Sequence, residues 1–214
     1  MESKRAIEIL NRLEEKFPDA RILLEFKNPF ELLVATVLAA QAPDERVNRV
    51  TKTLFSKFPT PEALSQAELT TIEEVVKPIN YFRQKARFIK QISQVLVDRF
   101  AGKVPSDLND LVALPGVGRK TANVVLANAF CLPAIPVDTH LARVANRLGL
   151  SQSTNPDKIE QEVAACFPRE KWIRASHLLG FLGRFICQAK KPRCGQCPVK
   201  DLCPYPQKSE QSLF

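Results

Sequence analysis

The sequence lacks both a long apolar run and a secretion signal. No stretch approaches the roughly 18 apolar residues that a membrane-spanning helix needs, although 45% of the 214 residues are hydrophobic. The N-terminal segment MESKRAIEILNRLEEKF mixes acidic and basic residues, whereas a secretion signal places a basic end before an apolar core. We therefore expect a cytoplasmic protein without a membrane partner.

Strand patterns are also nearly absent, because apolar residues recur at helical spacing instead of alternating with polar ones. We expect an all-α fold. Asn28-Pro29 is a helix start signal before an apolar helix over 30–40, and Thr60-Pro61 repeats that signal. Further helices are predicted from about Arg83 to Phe100, within 106–114, from Arg119, and over 138–148, 156–167 and 172–187.

Basic residues outnumber acidic ones. Thirty-one Lys and Arg against 23 Asp and Glu give a formal net charge of +8, which favours a polyanionic partner such as nucleic acid. On charge alone, a protein with a merely basic surface remains an equal alternative.

The segment LPGVG at 114–118 places Gly116 and Gly118 between two predicted helices. Glycine allows positive φ and close backbone approach, and the free N–H groups at the start of the second helix can bind a phosphate oxygen. A sharp helix corner without a ligand is the alternative. Arg119 and Lys120 follow directly, and their positive charge favours the phosphate site over the corner without a ligand.

Three segments together resemble the endonuclease III family of DNA glycosylases: LPGVGRKTANVVL from Leu114, VDTH at 137–140, and ELLVATVLAAQAPDERVN from Glu31. The resemblance covers most of the chain. It implies a helical barrel-like domain over 22–132 that ends in a helix–hairpin–helix motif. A second helical domain, formed by 1–21 and 133–214, would carry an iron–sulfur cluster, with a DNA-binding groove between the two domains.

A lysine after a glycine-rich turn is, by residue type alone, more typical of a phosphate contact or a surface charge. The resemblance implies instead that Lys120, two positions after Gly118, is the nucleophile. Its amine would form a Schiff base at C1′ of the damaged nucleotide and support β-elimination of the 3′ phosphate. Asp138 is a helix N-cap by position and, by resemblance, the second catalytic residue. His140 and Arg143 are weaker candidates for DNA contacts.

Four of the six cysteines crowd into the C-terminal tail, with six, two and five residues between them: Cys187, Cys194, Cys197 and Cys203. Without a secretion signal, metal ligation is expected over disulfides. Spacing alone leaves zinc open, whereas the resemblance implies a [4Fe–4S] cluster. The loop between the first two ligands carries three cations that suit DNA phosphates: Lys190, Lys191 and Arg193.

The resemblance also implies two loops that enter the base stack when the damaged nucleotide is flipped out. Gln41 matches the family's gap-filling glutamine, and Tyr81 lies in the second loop, INYFRQKA (79–86). The chain departs from the family here, with Asn80-Tyr81-Phe82 where Gly-Leu-Tyr is common. It also has Pro43 in place of threonine and Leu182 in place of a frequent histidine, so the range of damaged bases stays open.

The function implied by the resemblance is a bifunctional DNA glycosylase and AP lyase of base excision repair. It would act as a monomer on double-stranded DNA that contains oxidised pyrimidines or abasic sites, and would associate with the nucleoid through DNA. A monofunctional adenine glycosylase is disfavoured by Lys120 and by the short tail after Cys203. Two competing hypotheses from different classes are a non-enzymatic DNA-binding module stabilised by metal and a small redox protein.

Overall fold

The computed structural model describes residues 2–205, with side chains from Lys4 onward. Every regular element in that range is helical, which confirms the all-α prediction. The predicted domain ranges also include Met1 and 206–214, which lie outside the described residues. The α-helices are α1 (Glu2–Lys16), α2 (Pro29–Ala39), α3 (Asp44–Lys57), α4 (Pro61–Gln66), α5 (Leu69–Val76), α6 (Phe82–Phe100), α7 (Leu108–Val112), α8 (Arg119–Ala129), α9 (Thr139–Leu148), α10 (Pro156–Cys166) and α11 (Trp172–Phe185).

The chain forms two compact units. One comprises the chain up to Ile22 together with the chain from Pro133 onward, and the other comprises Leu23–Leu132. Along the described chain, no helix combines the length and the apolar character that crossing a membrane requires.

The unit Leu23–Leu132 is built around α2. Residues Phe30 to Leu38 are all buried, because α2 is apolar on every face and α3, α6 and α8 pack around it. Its start is fixed by a reciprocal cap: Asn28 Oδ1 accepts from the Glu31 N–H at 2.9 Å, and Glu31 Oε2 accepts from the Lys27 N–H at 2.7 Å. The Asn-Pro signal therefore acts as predicted.

In the other unit, α9 and α11 pack closely against each other. A Cβ added at Gly183 would lie 2.9 Å from both Cβ and the backbone oxygen of His140, so glycine is what permits this approach. Helix α1 packs on α10 and α11 and also holds the C-terminal segment. The Arg5 guanidinium donates to the carbonyls of Leu148 and Leu202, and Arg12 pairs with Asp201 at 2.8 Å.

Helix α11 ends earlier than predicted. Its last residue is Phe185, because Ile186 leaves helical geometry at φ −120° and ψ −58°. The chain then turns, with the N–H groups of Ile186 and Cys187 both donating to the Leu182 carbonyl. The first cysteine of the tail thus follows the helix instead of lying within it.

Candidate functional site

The glycine turn between α7 and α8 is tightly packed at its first glycine and open at its second. Gly116 has φ +72°, and a Cβ there would lie 2.6 Å from Cδ2 of the Phe88 ring. Gly118 has φ −95° and is the N-cap of α8, and a Cβ there would meet nothing within 4 Å. The buried side chain of Val117 anchors the turn between them.

The N-terminus of α8 lies at the surface. Its N-cap residue, Gly118, makes no side-chain cap, and Gly118, Arg119 and Lys120 are all exposed. Unsatisfied N–H groups and the positive end of the helix dipole together favour an anion at such a position. The expected phosphate site therefore has open space in front of it.

Lys120 lies in the first turn of α8, with its side chain exposed. The buried residues Ala122, Val124 and Val125 fix this helix in the unit. An exposed amine on a rigid, short helix can reach a substrate whose phosphate is docked at the same helix end. This geometry suits both a phosphate contact and a nucleophile.

Asp138 is the N-cap of α9, as its position predicted. Its Oδ1 accepts from the Leu141 N–H at 2.8 Å, and the carboxyl group is half-buried. Among the described residues, the structure gives no partner for Oδ2. One oxygen therefore holds the helix while the other can face a substrate. Asp138 and Lys120 belong to different units.

Arg143, a predicted DNA contact, makes several bonds within the protein. Nε donates to the Cys187 carbonyl at 3.0 Å and Nη2 to the Gly183 carbonyl at 2.7 Å, and Nη2 lies 3.2 Å from Nδ1 of His140. The guanidinium thus links α9 to the end of α11. A DNA contact by Arg143 or His140 stays a prediction, but Arg143 also has a structural role that the sequence did not reveal.

The four tail cysteines line one cavity, together with Arg147 and Tyr205. Burial raises the pKa of the Cys197 and Cys203 thiols, and the neighbouring thiols raise it further. Thiols held in this way are stable as a protonated set but become ligands when a metal centre takes up their negative charge.

Arg147 organises the wall of this cavity. Nη1 donates to the Cys187 Sγ at 3.4 Å and to the Gln188 carbonyl at 2.7 Å, and Nη2 donates to the Ala189 carbonyl at 2.9 Å. The Cys203 Sγ donates to the Arg147 carbonyl at 3.4 Å. A cation beside a thiolate stabilises its charge, so the arginine suits a centre held by cysteines.

Within residues 2–205, no group of three or more His, Cys, Asp or Glu side chains lies close enough to hold a single metal ion. The four thiols instead surround a cavity. Four cysteine thiolates around a space are the donor set of a [4Fe–4S] cluster, in which each iron takes one thiolate.

The loop that follows Cys187 carries the three predicted cations, Lys190, Lys191 and Arg193, and all three are exposed. The Arg193 N–H donates to the Ile186 carbonyl at 2.9 Å, which closes the loop at its base. The cations therefore lie on one short, anchored loop.

The two predicted stack-entering loops contact each other within the unit Leu23–Leu132. Gln41 and Tyr81 both have left-handed backbone, with φ +55° and +58°, and Tyr81 is 65% exposed. The Asn80 Nδ2 donates to the Gln41 carbonyl at 2.9 Å. The Lys85 Nζ donates to the carbonyls of Leu38 and Ala40.

Sequence reasoning missed Lys85, although a signal was present. Lys85 continues the apolar stripe of α6 that includes Ala86, Ile89 and Ile92, and a lysine on such a stripe must either reach solvent or find a buried partner.

Two models of known protein families together match most of the chain. A model of the HhH-GPD superfamily of base excision DNA repair proteins matches residues 34–169, and a model of the iron–sulfur binding domain of endonuclease III matches residues 187–203. These ranges include Lys120, Asp138 and the four tail cysteines.

Individual relatives match over nearly their full length. Endonuclease III of Synechocystis sp. (strain ATCC 27184 / PCC 6803 / Kazusa) is 44% identical, covering 96% of this chain and 94% of the relative. That of Escherichia coli (strain K12) is 41% identical, covering 97% and 99%. A solved structure of a trapped endonuclease III–DNA covalent intermediate superposes with a TM-score of 0.92 at 41% identity, covering 97% of this chain and 98% of that chain.

Proposed function

Because the chain belongs to the endonuclease III family of base excision DNA repair proteins, we propose that Lys120 is the nucleophile of a DNA glycosylase and AP lyase. Its substrates are oxidised pyrimidines and abasic sites in duplex DNA. The observation that carries this assignment is an exposed lysine in the first turn of α8, directly after a glycine N-cap with open space in front of it. A cytoplasmic, nucleoid-associated location follows from the substrate.

The reaction begins when the neutral Lys120 amine attacks C1′ of the damaged nucleotide. The bond from C1′ to the base breaks, and the base leaves with a proton. The ring bond from C1′ to O4′ then opens as O4′ takes up a proton, and a Schiff base joins lysine to the open sugar. This iminium makes the C2′ proton acidic. Loss of that proton expels the 3′ phosphate, and water then hydrolyses the Schiff base and regenerates the amine.

Asp138 is the second catalytic residue in this proposal. Its Oδ1 is committed to the Leu141 N–H, so Oδ2 is the oxygen assigned to the substrate. A carboxylate there stabilises positive charge on the sugar and moves protons to or from the lysine.

We assign the binding of the DNA backbone to two parts of the chain, the glycine turn before α8 and the loop after Cys187. A phosphate oxygen docks on the N–H groups at the start of α8, where Gly118 leaves space. Lys190, Lys191 and Arg193 bind further phosphates. Gln41 and Tyr81 occupy the space that the flipped nucleotide leaves in the stack.

The chain carries a [4Fe–4S] cluster, as its endonuclease III iron–sulfur domain indicates. We assign its ligands as the four thiols that line the cavity: Cys187, Cys194, Cys197 and Cys203. The cluster supplies a fixed centre around which the tail folds, and Arg147 and Arg143 hold the first ligand's loop against α9.

Borohydride trapping on abasic duplex DNA tests the proposal, because borohydride reduces the Schiff base to a stable amine bond. We expect a covalent adduct with the native protein and none with Lys120→Ala. Lys158→Ala is the matched control, since Lys158 is also exposed and also lies in the first turn of a helix, α10. An adduct that persists in Lys120→Ala, or that is absent from the native protein, would refute the assignment.

A further inference from the structure

Lys85 is a buried cation with an unusual pair of partners. Its side chain is 5% exposed, and Nζ donates to the carbonyls of Leu38 at 2.8 Å and Ala40 at 2.5 Å. These carbonyls lie at the C-terminal end of α2, where helix carbonyls lack partners and the dipole is negative. Burial lowers the pKa of Lys85, so the position is costly to maintain and depends on these bonds.

The bonds of Lys85 and its neighbour Asn80 connect two loops. Lys85 lies in the first turn of α6, and its own N–H donates to the Tyr81 carbonyl at 3.1 Å. Its ammonium reaches back to Ala40, next to Gln41. The Asn80 amide donates to the Gln41 carbonyl at 2.9 Å. Three hydrogen bonds therefore join the chain around Gln41 to the chain around Tyr81: two from the Lys85 ammonium, to the Leu38 and Ala40 carbonyls, and one from the Asn80 amide.

Both joined residues have strained backbone. Gln41 has φ +55° and Tyr81 has φ +58°, a region that non-glycine residues seldom adopt. Such conformations persist where the surrounding structure holds them, and they concentrate at functional positions. Here the surrounding structure is the set of Lys85 and Asn80 bonds.

We propose that Lys85 is a positioning residue for opening the DNA stack, because its ammonium, together with the Asn80 amide, locks the Gln41 and Tyr81 loops into one wedge. This inference rests on the proposed function of Gln41 and Tyr81 as stack-entering residues. Flipping a nucleotide requires unstacking and unpairing, and a wedge already held in shape loses less conformational freedom when it enters the stack.

A loosened wedge should affect two DNA substrates differently. Duplex DNA must be opened before Lys120 can react, whereas a single strand with an abasic site has no paired stack to open. Loosening the wedge should therefore slow cleavage of the duplex and leave cleavage of the single strand nearly intact.

The test compares Lys85→Met and Asn80→Ala with the native protein. Methionine has an unbranched side chain of similar length but cannot donate to the carbonyls. Asn80 is exposed, so replacing it with alanine does not endanger folding. Lys90→Met is the matched control: Lys90 also lies on α6 and also donates to a backbone carbonyl, that of Ala67 at 2.5 Å, but it holds α4 instead of the wedge.

Two measurements are made on each protein. Single-turnover cleavage is compared on an abasic site in duplex and in single-stranded DNA, and the fluorescence of 2-aminopurine beside the site reports unstacking on binding. For Lys85→Met we expect at least about a 10-fold loss on duplex, a loss of about 3-fold or less on the single strand, and a reduced fluorescence rise, since a tenfold rate change needs only a modest change in barrier. Asn80→Ala should show the same pattern more weakly, and Lys90→Met should match the native protein.

Equal losses on both substrates, or an unchanged fluorescence rise in Lys85→Met and Asn80→Ala, would overturn the proposal. If Lys85→Met does not fold, Asn80→Ala decides the question. Failure of the proposed function would give a different result: the native protein would cleave neither substrate, or Lys120→Ala would cleave both. In either case the fluorescence rise on binding would still report whether Lys85 holds the wedge.

Discussion

Asp138 caps α9 through one carboxyl oxygen, and the proposed function gives the same carboxyl group a catalytic role. Asparagine caps helices about as well as aspartate, so Asp138→Asn should keep the free energy of unfolding within about 0.5 kcal/mol. The neutral amide cannot accept a proton or stabilise positive charge, so turnover should fall by roughly 10²- to 10⁴-fold. Unfolding curves and single-turnover glycosylase assays measure the two effects.

Asp107→Asn is the control for this substitution. Asp107 caps α7 by accepting from the N–H groups of Asn109 and Asp110, and no catalytic role is proposed for it. Near-native turnover in Asp138→Asn, as in Asp107→Asn, would reduce Asp138 to a cap.

His177 makes stability depend on pH. Burial, and then the charge of Arg174, lower the pKa of His177 from 6.5 to about 4; Arg174 in turn pairs with Glu14 of α1. Between those two values the unfolded chain binds a proton that the folded chain does not, so acidification favours unfolding. Roughly 2 kcal/mol of stability should be lost between pH 7 and pH 5 through this group alone.

Replacing His177 with glutamine removes the titrating group. The free energy of unfolding of His177→Gln should therefore fall less between pH 7 and pH 5 than that of the native protein, as measured by denaturant unfolding at both pH values. Equal falls in the two proteins would show that His177 is not the group responsible.

The structural roles of some charged residues could not be predicted from the sequence. Arg143 and Lys85 are of the same residue types as ordinary surface cations, and their roles depend on where the fold places carbonyl groups. Arg143 meets the carbonyls of Gly183 and Cys187, which are about 40 residues away in the chain. No local pattern contains that information, although Lys85 could have been noticed on its apolar stripe.

At the scale of elements, the helices that begin with a side-chain cap were predictable from the sequence, whereas helices without one were predictable only where another signal was present, as in α6, α8 and α11. Asn28 and Asn155 each precede a proline and cap α2 and α10, and both starts were predicted. The sequence pattern set no bounds for α3 and α5. Their N-cap residues, Pro43 and Glu68, make no side-chain cap, so the start of these two helices depends more on tertiary packing.

The glycine turn before α8 yields a prediction about two similar substitutions. Gly116→Ala should lower the free energy of unfolding by about 1 to 3 kcal/mol, because φ +72° is strained for alanine and Cβ would meet the Phe88 ring. Gly118→Ala should keep its stability, because nothing lies within 4 Å, yet weaken DNA binding, because the methyl group faces the proposed phosphate.

Denaturant unfolding and titration with abasic duplex DNA distinguish these outcomes. If Gly118→Ala binds DNA as tightly as the native protein, the phosphate does not dock at this helix end. If Gly116→Ala is as stable as the native protein, the Phe88 ring can move aside and the first glycine is not required by packing.

At the scale of the whole molecule, resemblance and spacing contributed different parts of the prediction. Helical periodicity was sufficient for the all-α class, and the crowding of Cys187, Cys194, Cys197 and Cys203 was sufficient for a metal centre. Spacing left zinc and iron open, and the family resolves this in favour of a [4Fe–4S] cluster. Gln41 and Tyr81, by contrast, stay predictions, because their role depends on DNA.

The net charge of +8 predicts that DNA affinity falls steeply with salt, because each phosphate contact releases counterions. Replacing Lys190 and Lys191 together with alanine should reduce the slope of log K against log salt concentration by about 2. Lys103→Ala with Lys158→Ala is the matched control, since it removes the same charge from two exposed lysines elsewhere in the chain. If both pairs change the slope equally, general charge and not the loop after Cys187 binds the DNA; a change confined to the first pair identifies that loop as part of the interface.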